Sequence, residues 1–301
     1  MIDWTAGCFG SNDGGIVGGG GGRRQVVQNV VTCFYVTTLS MKKKEVLIMV
    51  TWQKNNGDEP SSVTVIVDNE PSAAASPFDH PRCNSQILRK KGSRSFFSGD
   101  SMFLLLWDIS AAKYGPGFSS EPTKDFYLIL AADAELVLLL GDKGKHYVDK
   151  FPTAPFWMYS RYEQAVVPAS AAVHYSTKAR FREGGQEHDV SVICRVDERD
   201  AKNGELSIAV DRKRAIHVPN VGWNFRGNQA ITVDDGSAVV DVLWDVRDWW
   251  FHDSSGGGLT TFLFRARSSP ESEQPCWLPE EAAATAAPPP FTLSIIVSKK
   301  Q

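Results

Sequence analysis

Five short runs of this chain are written as β-strands: EVLIMVTW (45–52), SVTVIVD (62–68), MFLLLWD (102–108), DFYLILAA (125–132) and ELVLLLGD (135–142). Each is too short for a helix of ordinary length, and turn clusters such as NNGDEPSS, NEPSAAASPFDHP and YGPGFSSEP separate them. No long segment shows a helical period, so the chain is committed to sheets. The cores of four runs, EVLIMV, FLLLW, FYLIL and LVLLL, are apolar at both alternating positions. Such strands are covered on both sides. Further on, HDVSVICRV (188–196) and GELSIAVD (204–211) alternate more cleanly, as strands with one solvated face do. The outer face of the first half is therefore expected to lie under the other half or under the tails.

The chain also writes one pattern twice. TWQKNNGDEPSSVTVIVD precedes Lys91-Gly92, an apolar strand and Trp107-Asp108; ICRVDERDAKNGELSIAVD precedes Arg226-Gly227, an apolar strand and Trp244-Asp245. The separation is 143 at Asp68 and Asp211, 135 at Gly92 and Gly227, 137 at Trp107 and Trp244, and 136 at Phe126 and Phe262. Offsets that drift only across loops are those of a diverged duplication. Each Trp is expected to close its strand and plug one end of its half's core. Asp108 and Asp245 are then placed to cap the short turns ISAAKY and VRDWWF by accepting backbone N–H groups. The rival reading makes the two aspartates acid/base partners; strand-end carboxylates more often serve turns. Gly92 and Gly227 read as structural turn positions of the same device.

The expected fold is all-β and mostly antiparallel, a barrel or a pair of packed sheets built from two similar halves, with few short helices. Residues 1–25, with GGGGG at 18–22, form a flexible Gly-rich tail; 26–150 the first half; 151–267 the second, packed on the first; 268–290 a Pro/Ala/acidic linker; and 291–298 a returning C-terminal strand. The stretch 156–181 reads as a hairpin around Pro168–Ala172. A chain of 301 residues has room for one large β domain or two smaller ones.

KARFREGGQEHDV (178–190), FRGNQ (225–229) and VLWDVRDWWF (242–251) resemble plant proteins of the domain-of-unknown-function family numbered 868. QNVVTCFYV (28–36), VTW (50–52), KKGSRSF (90–96) and VLLLGD (137–142) fit the same pattern in the same order. The resemblance runs over roughly residues 25–265, and FTLSIIV resembles the family's closing strand. It departs at SRYEQAV (160–166), at the ending VSKKQ and in the Ala-rich loop 70–83. It implies a plant source and an intracellular protein, and it transfers no activity.

Chemistry is hard to find in the residues. The net charge of −3 offers no positive field for nucleic acid, and none is expected as a partner. Cysteines at 8, 33, 83, 194 and 276 are odd in number and badly spaced for a metal, which suits a reducing, cytoplasmic compartment without disulfides. No secretory signal or transmembrane run is read, and no metal or cofactor is expected. His80-Pro81-Arg82-Cys83 lacks completing ligands, and Glu187-His188-Asp189 reads as a solvated approach to a strand. Arg89, Lys90 and Lys91, beside Phe96 and Phe97, read either as a phosphate-touching patch or as edge guards. Trp223, Arg226, Asn228 and Gln229 read either as a polar patch at a pocket mouth or as a turn. The leading expectation is a non-catalytic binding module for an apolar small molecule or a protein. The alternatives are an enzyme with its site between the halves, and a peripheral membrane protein using Cys8 and the Lys-rich loops, among them Lys42–Lys44.

Overall fold

The computed structural model describes residues 28–54, 62–68, 83–87, 90–115, 119–167, 172–195, 204–251, 258–267 and 290–299. The Gly-rich tail, the linker, His80 and Arg89 lie outside the described residues.

The first half opens with a meander, β1 (Gln28–Leu39), β2 (Lys44–Lys54), β3 (Ser62–Asp68) and β4 (Cys83–Ile87), paired in that order. A second meander follows: β5 (Lys91–Ser98), β6 (Ser101–Asp108), β9 (Tyr127–Ala132) and β10 (Glu135–Leu140), interrupted by the small pair β7 (Lys113–Tyr114) and β8 (Pro122–Lys124). The long β11 (Phe156–Val167) leads into the second half. There β12 (Val173–Ala179), β13 (His188–Arg195), β14 (Glu205–Val210) and β15 (Lys213–Val218) form one meander. The other is β16 (Arg226–Val233), β17 (Ala238–Asp245), β18 (Leu259–Ala266) and β19 (Thr292–Lys299), with the short helix α1 (Arg247–Phe251) after β17. The fold is all-β, and the strands form open sheets, not a closed barrel.

One nine-stranded sheet joins the halves, in the order β16-β17-β18-β19-β11-β1-β2-β3-β4. The returning strand β19 is central to this: it pairs antiparallel with β18 and parallel with β11, which in turn pairs antiparallel with β1. Two cores lie against this sheet. Val31, Val50, Val65, Leu105, Leu128 and their neighbours fill the first; Val192, Ile208, Val242, Phe264, Ile295 and theirs fill the second. Alternation explains the division, because β3, β6, β17 and β18 each bury every second residue.

Three expectations need correction. Residues 156–181 are not a hairpin: β11 stays in the nine-stranded sheet while β12 pairs with β13 in another, so the chain turns a corner between sheets. The outer face of β9 and β10 is covered by the segment after β10. A Cβ on Gly144 would touch Leu139, Tyr127 and Ile129, and Leu136 donates its N–H to the Pro152 carbonyl and accepts the Ala154 N–H. Phe126 is not the counterpart of Phe262, since Trp107 lies opposite Leu128 and Trp244 opposite Phe262. Phe126 instead packs edge-on against Trp52 at 5.7 Å. The halves share a strand order; a duplicated sequence is not established by that likeness.

Candidate functional site

The recurring Trp-Asp pairs stand at two corners. At the first, Gly92 lies opposite Trp107 and Lys91 opposite Asp108. At the second, Gly227 lies opposite Trp244 and Arg226 opposite Asp245. The indole rests on the glycine in both: a Cβ on Gly92 would come within 2.7 Å of the Trp107 ring, and one on Gly227 would press closer still into the Trp244 ring. Only glycine admits so close a ring. Both indoles are buried. Asp108 Oδ1 accepts the Ser110 N–H at 3.1 Å, and Asp245 Oδ1 accepts the Arg247 N–H at 3.1 Å. Each aspartate also pairs across the ladder, to Lys91 at 3.0 Å and to Arg226 at 2.7 Å. The Ser110 hydroxyl, opposed in part by burial and aided by Lys91, holds the Asp108 carboxyl below its usual range. Both carboxylates are thus committed to turns and ion pairs.

Beyond the capped turn the two corners differ. After Asp108 come Ser110, Ala111 and Ala112 in a plain turn, not a helix. After Asp245 comes α1, which buries Trp249 and leaves Phe251 56% exposed. Trp223, just before β16, is 70% exposed, and Phe225 meets Phe251 edge-on at 5.7 Å. Trp250 is half-buried against Gly204, while Arg226 and Arg247 are exposed at the rim. Large aromatics held this far out of a core are uncommon on a surface without a partner.

The remaining sequence candidates separate. Trp223 and Arg226 sit at the second corner, and Asn228 and Gln229 run on from it along β16, all exposed. Lys90 and Lys91 sit at the first corner, where the Lys90 carbonyl accepts the Ile109 N–H at 2.7 Å. Phe96 turns inward and stacks on Phe103 at 5.6 Å, whereas Phe97 is exposed, so no aromatic pair stands beside the lysines.

Three ionic centres go beyond what the sequence analysis assembled. In the seam, the Arg161 guanidinium bonds Glu163 and Glu121, each at 2.5 Å, and reaches Cys33 Sγ at 3.3 Å. Tyr175 and Thr177 donate to Glu163 at 2.8 and 2.6 Å. Arg161 and Glu163 are nearly inaccessible. Burial pushes the Cys33 thiol up to about 12, with Glu121 adding to it, so it is no nucleophile. Burial opposes the charge on Arg161, but Cys33, Glu121 and Glu163 outweigh it and raise its pKa. The signal in the sequence was Arg161-x-Glu163, opposite charges on one face of a strand.

At the far ends of the halves, a cation stands between two aspartates. Lys42 Nζ meets Asp133 at 2.9 Å and Asp100 at 3.3 Å. His188 Nδ1 meets Asp211 at 2.6 Å and its Nε2 meets Asp234 at 3.1 Å. His188 is buried beside Phe181, not solvated as its sequence setting suggested; Glu187 and Asp189 are the exposed members of that run. Burial works against its charge, but the two carboxylates win and raise its pKa. Both ring nitrogens are occupied, which leaves no free base there. Among the described residues, no group of three His, Cys, Asp or Glu is placed to hold a metal, and no helix is long and apolar enough to cross a membrane.

A family model described as plant protein of unknown function (DUF868) matches residues 26–294. No curated protein and no solved structure matches the chain.

Proposed function

The chain belongs to this plant family, and we propose that it is a non-catalytic binding module that takes a protein partner at the aromatic corner of Trp223, Phe225 and Phe251. One observation carries the reading. The two corners share a backbone device, yet among the described residues only the second holds a 70% exposed Trp and a 56% exposed Phe beside Arg226 and Arg247. Trp and Arg dominate the energetic centres of protein interfaces. An aromatic ring brought from water into an interface contributes about 1.5–3 kcal/mol. The ionisable clusters support a binding role over catalysis, because the Arg161 and His188 centres are closed by their own partners. A peripheral membrane role draws less support, because Lys42 and Lys44 are engaged by Asp100.

The test uses the full chain as bait in plant extract, with Trp223→Ser/Phe251→Ser compared against wild type and against Lys91→Ser at the first corner. Wild type and the Lys91 variant should enrich the same protein, and the double variant should bind it roughly thirtyfold or more weakly. Equal capture by all three proteins would end the reading. A native mass that exceeds the denatured mass by less than about 1 kDa would shift the occupant to a small molecule.

A further inference from the structure

We propose that β16 is the dimerisation edge of this protein, and that it pairs antiparallel with β16 of a second copy. The proposal stands on the rim of the sheet and does not depend on a different partner at the aromatic corner, although its register sets the second copy's Asp234–Gly236 turn opposite Trp223, beside that corner. β16 ends the order of the nine-stranded sheet, and its other side is paired with β17 over eight unbroken residue pairs. The Val246 N–H bonds the Phe225 carbonyl at 2.9 Å, which fixes the phase of the ladder. Antiparallel bonds alternate, so residues 227, 229, 231 and 233 bond toward β17. Arg226, Asn228, Ala230 and Thr232 then direct their N–H and C=O groups outward along the rim, and all four are exposed.

Exposed edges are normally guarded. β5 carries Lys91 and Arg94; β15 carries Lys213 and Arg214 and an irregular register. β12 carries Lys178, and β10 is bridged by Thr153. β4, at the other end of the sheet, is uncharged too but only five residues long, whereas β16 runs for eight with neither bulge nor proline and no charge after Arg226.

The strand also suits itself. Rim-directed groups on both copies meet when Asn228 lies opposite Ala230 of the partner and Arg226 opposite its Thr232. The two-fold axis then passes Gln229, whose two copies face each other with amides that can donate and accept. No like charges are opposed. Each Arg226 is brought beside the partner's turn Asp234–Gly236, where Asp235 is exposed. Opposite charges at both ends of a symmetric strand pair favour a second copy over an arbitrary peptide.

Light scattering on the full chain at micromolar concentration should give about 66 kDa, twice the 33.1 kDa chain. Ala230→Pro removes only a rim donor, which an edge strand tolerates, and should give a folded monomer whose melting temperature no longer depends on protein concentration and equals that of wild type extrapolated to high dilution. Gln229→Cys should cross-link under mild oxidation with the disulfide mapped to 229–229, because facing residues in a non-hydrogen-bonded pair lie about 4.5 Å apart. Thr232→Cys should not cross-link. A wild-type monomer overturns the proposal. So does a dimer that cross-links as readily through residue 232 as through 229, whether or not the proline variant folds.

Discussion

The Trp107 corner and the Trp244 corner are built from the same four parts: a glycine under an indole, a cross-strand cation, an aspartate and the turn it caps. The first corner stops there. The second adds α1 and places Trp223, Phe225 and Phe251 around it. Phe225 packs on the second core and Phe251 packs on Phe225, so what the second corner adds is the exposed outer surface of Trp223 and Phe251. The far ends make a parallel contrast. Lys42 and His188 each stand between two aspartates, but the lysine is partly exposed and charged through neutrality, whereas the histidine is buried and titrates.

The Arg161 seam joins the two halves, so breaking it is the strongest test of whether they are separable. Arg161→Met leaves Glu163 buried with only Tyr175 and Thr177 for company. An uncompensated buried charge costs about 3–5 kcal/mol. Calorimetry should show a larger loss than either corner glycine or His188 gives, with the one transition splitting into two. A loss under about 1 kcal/mol with a single transition would mean that β19 and β11 alone hold the halves together.

Much of this was written in the strands. The β-rich runs, the Trp-Asp repeats and the returning FTLSIIV are local patterns, and strand periodicity exposes local patterns directly. The seam was not legible, since Arg161 meets Glu121 and Cys33 only after β1, β11 and the stretch before β8 converge. His188 misled for the same reason: its exposed neighbours Glu187 and Asp189 made the run look solvated, while its partners come from turns after β14 and β16. Trp223 and Arg226 stand out in the sequence, but Phe251 does not, because its place beside Phe225 depends on how α1 folds back over the corner.

The glycines test whether the corners are one device. A methyl group on Gly227 would press into the Trp244 ring more closely than one on Gly92 into Trp107. Overpacking of this kind costs about 1–3 kcal/mol. Gly227→Ala should therefore destabilise the protein more than Gly92→Ala in urea titrations, with both clearly below wild type. If Gly92→Ala is silent, Trp107 has room to shift and the first corner is not the same rigid plug.

The smallest effect tests the far ends, and it depends on pH. Burial opposes the charge on His188 in the folded protein, but Asp211 and Asp234 outweigh it, so the pKa is raised. Its contribution is therefore fully present below the unfolded value of about 6.5 and is lost as pH rises through the higher folded value. Once neutral, the ring can donate to only one of its two carboxylates. Lys42 is raised too, by Asp133 first, but from a reference of 10.5, so its tie persists through neutrality. The aspartates at both ends are lowered, and their share disappears only as pH falls through their folded values. Melting curves from about pH 5 to 9 should place wild type above His188→Gln by on the order of 1 kcal/mol at the acid end of that window, with the gap closing toward the alkaline end. The gap between wild type and Lys42→Gln should stay level across the same window. A level gap for His188→Gln would show that the two aspartates do not raise the folded pKa, and a gap that widens with pH would show an imidazole held neutral, with Arg182 and the Gln186 N–H carrying Asp234 instead.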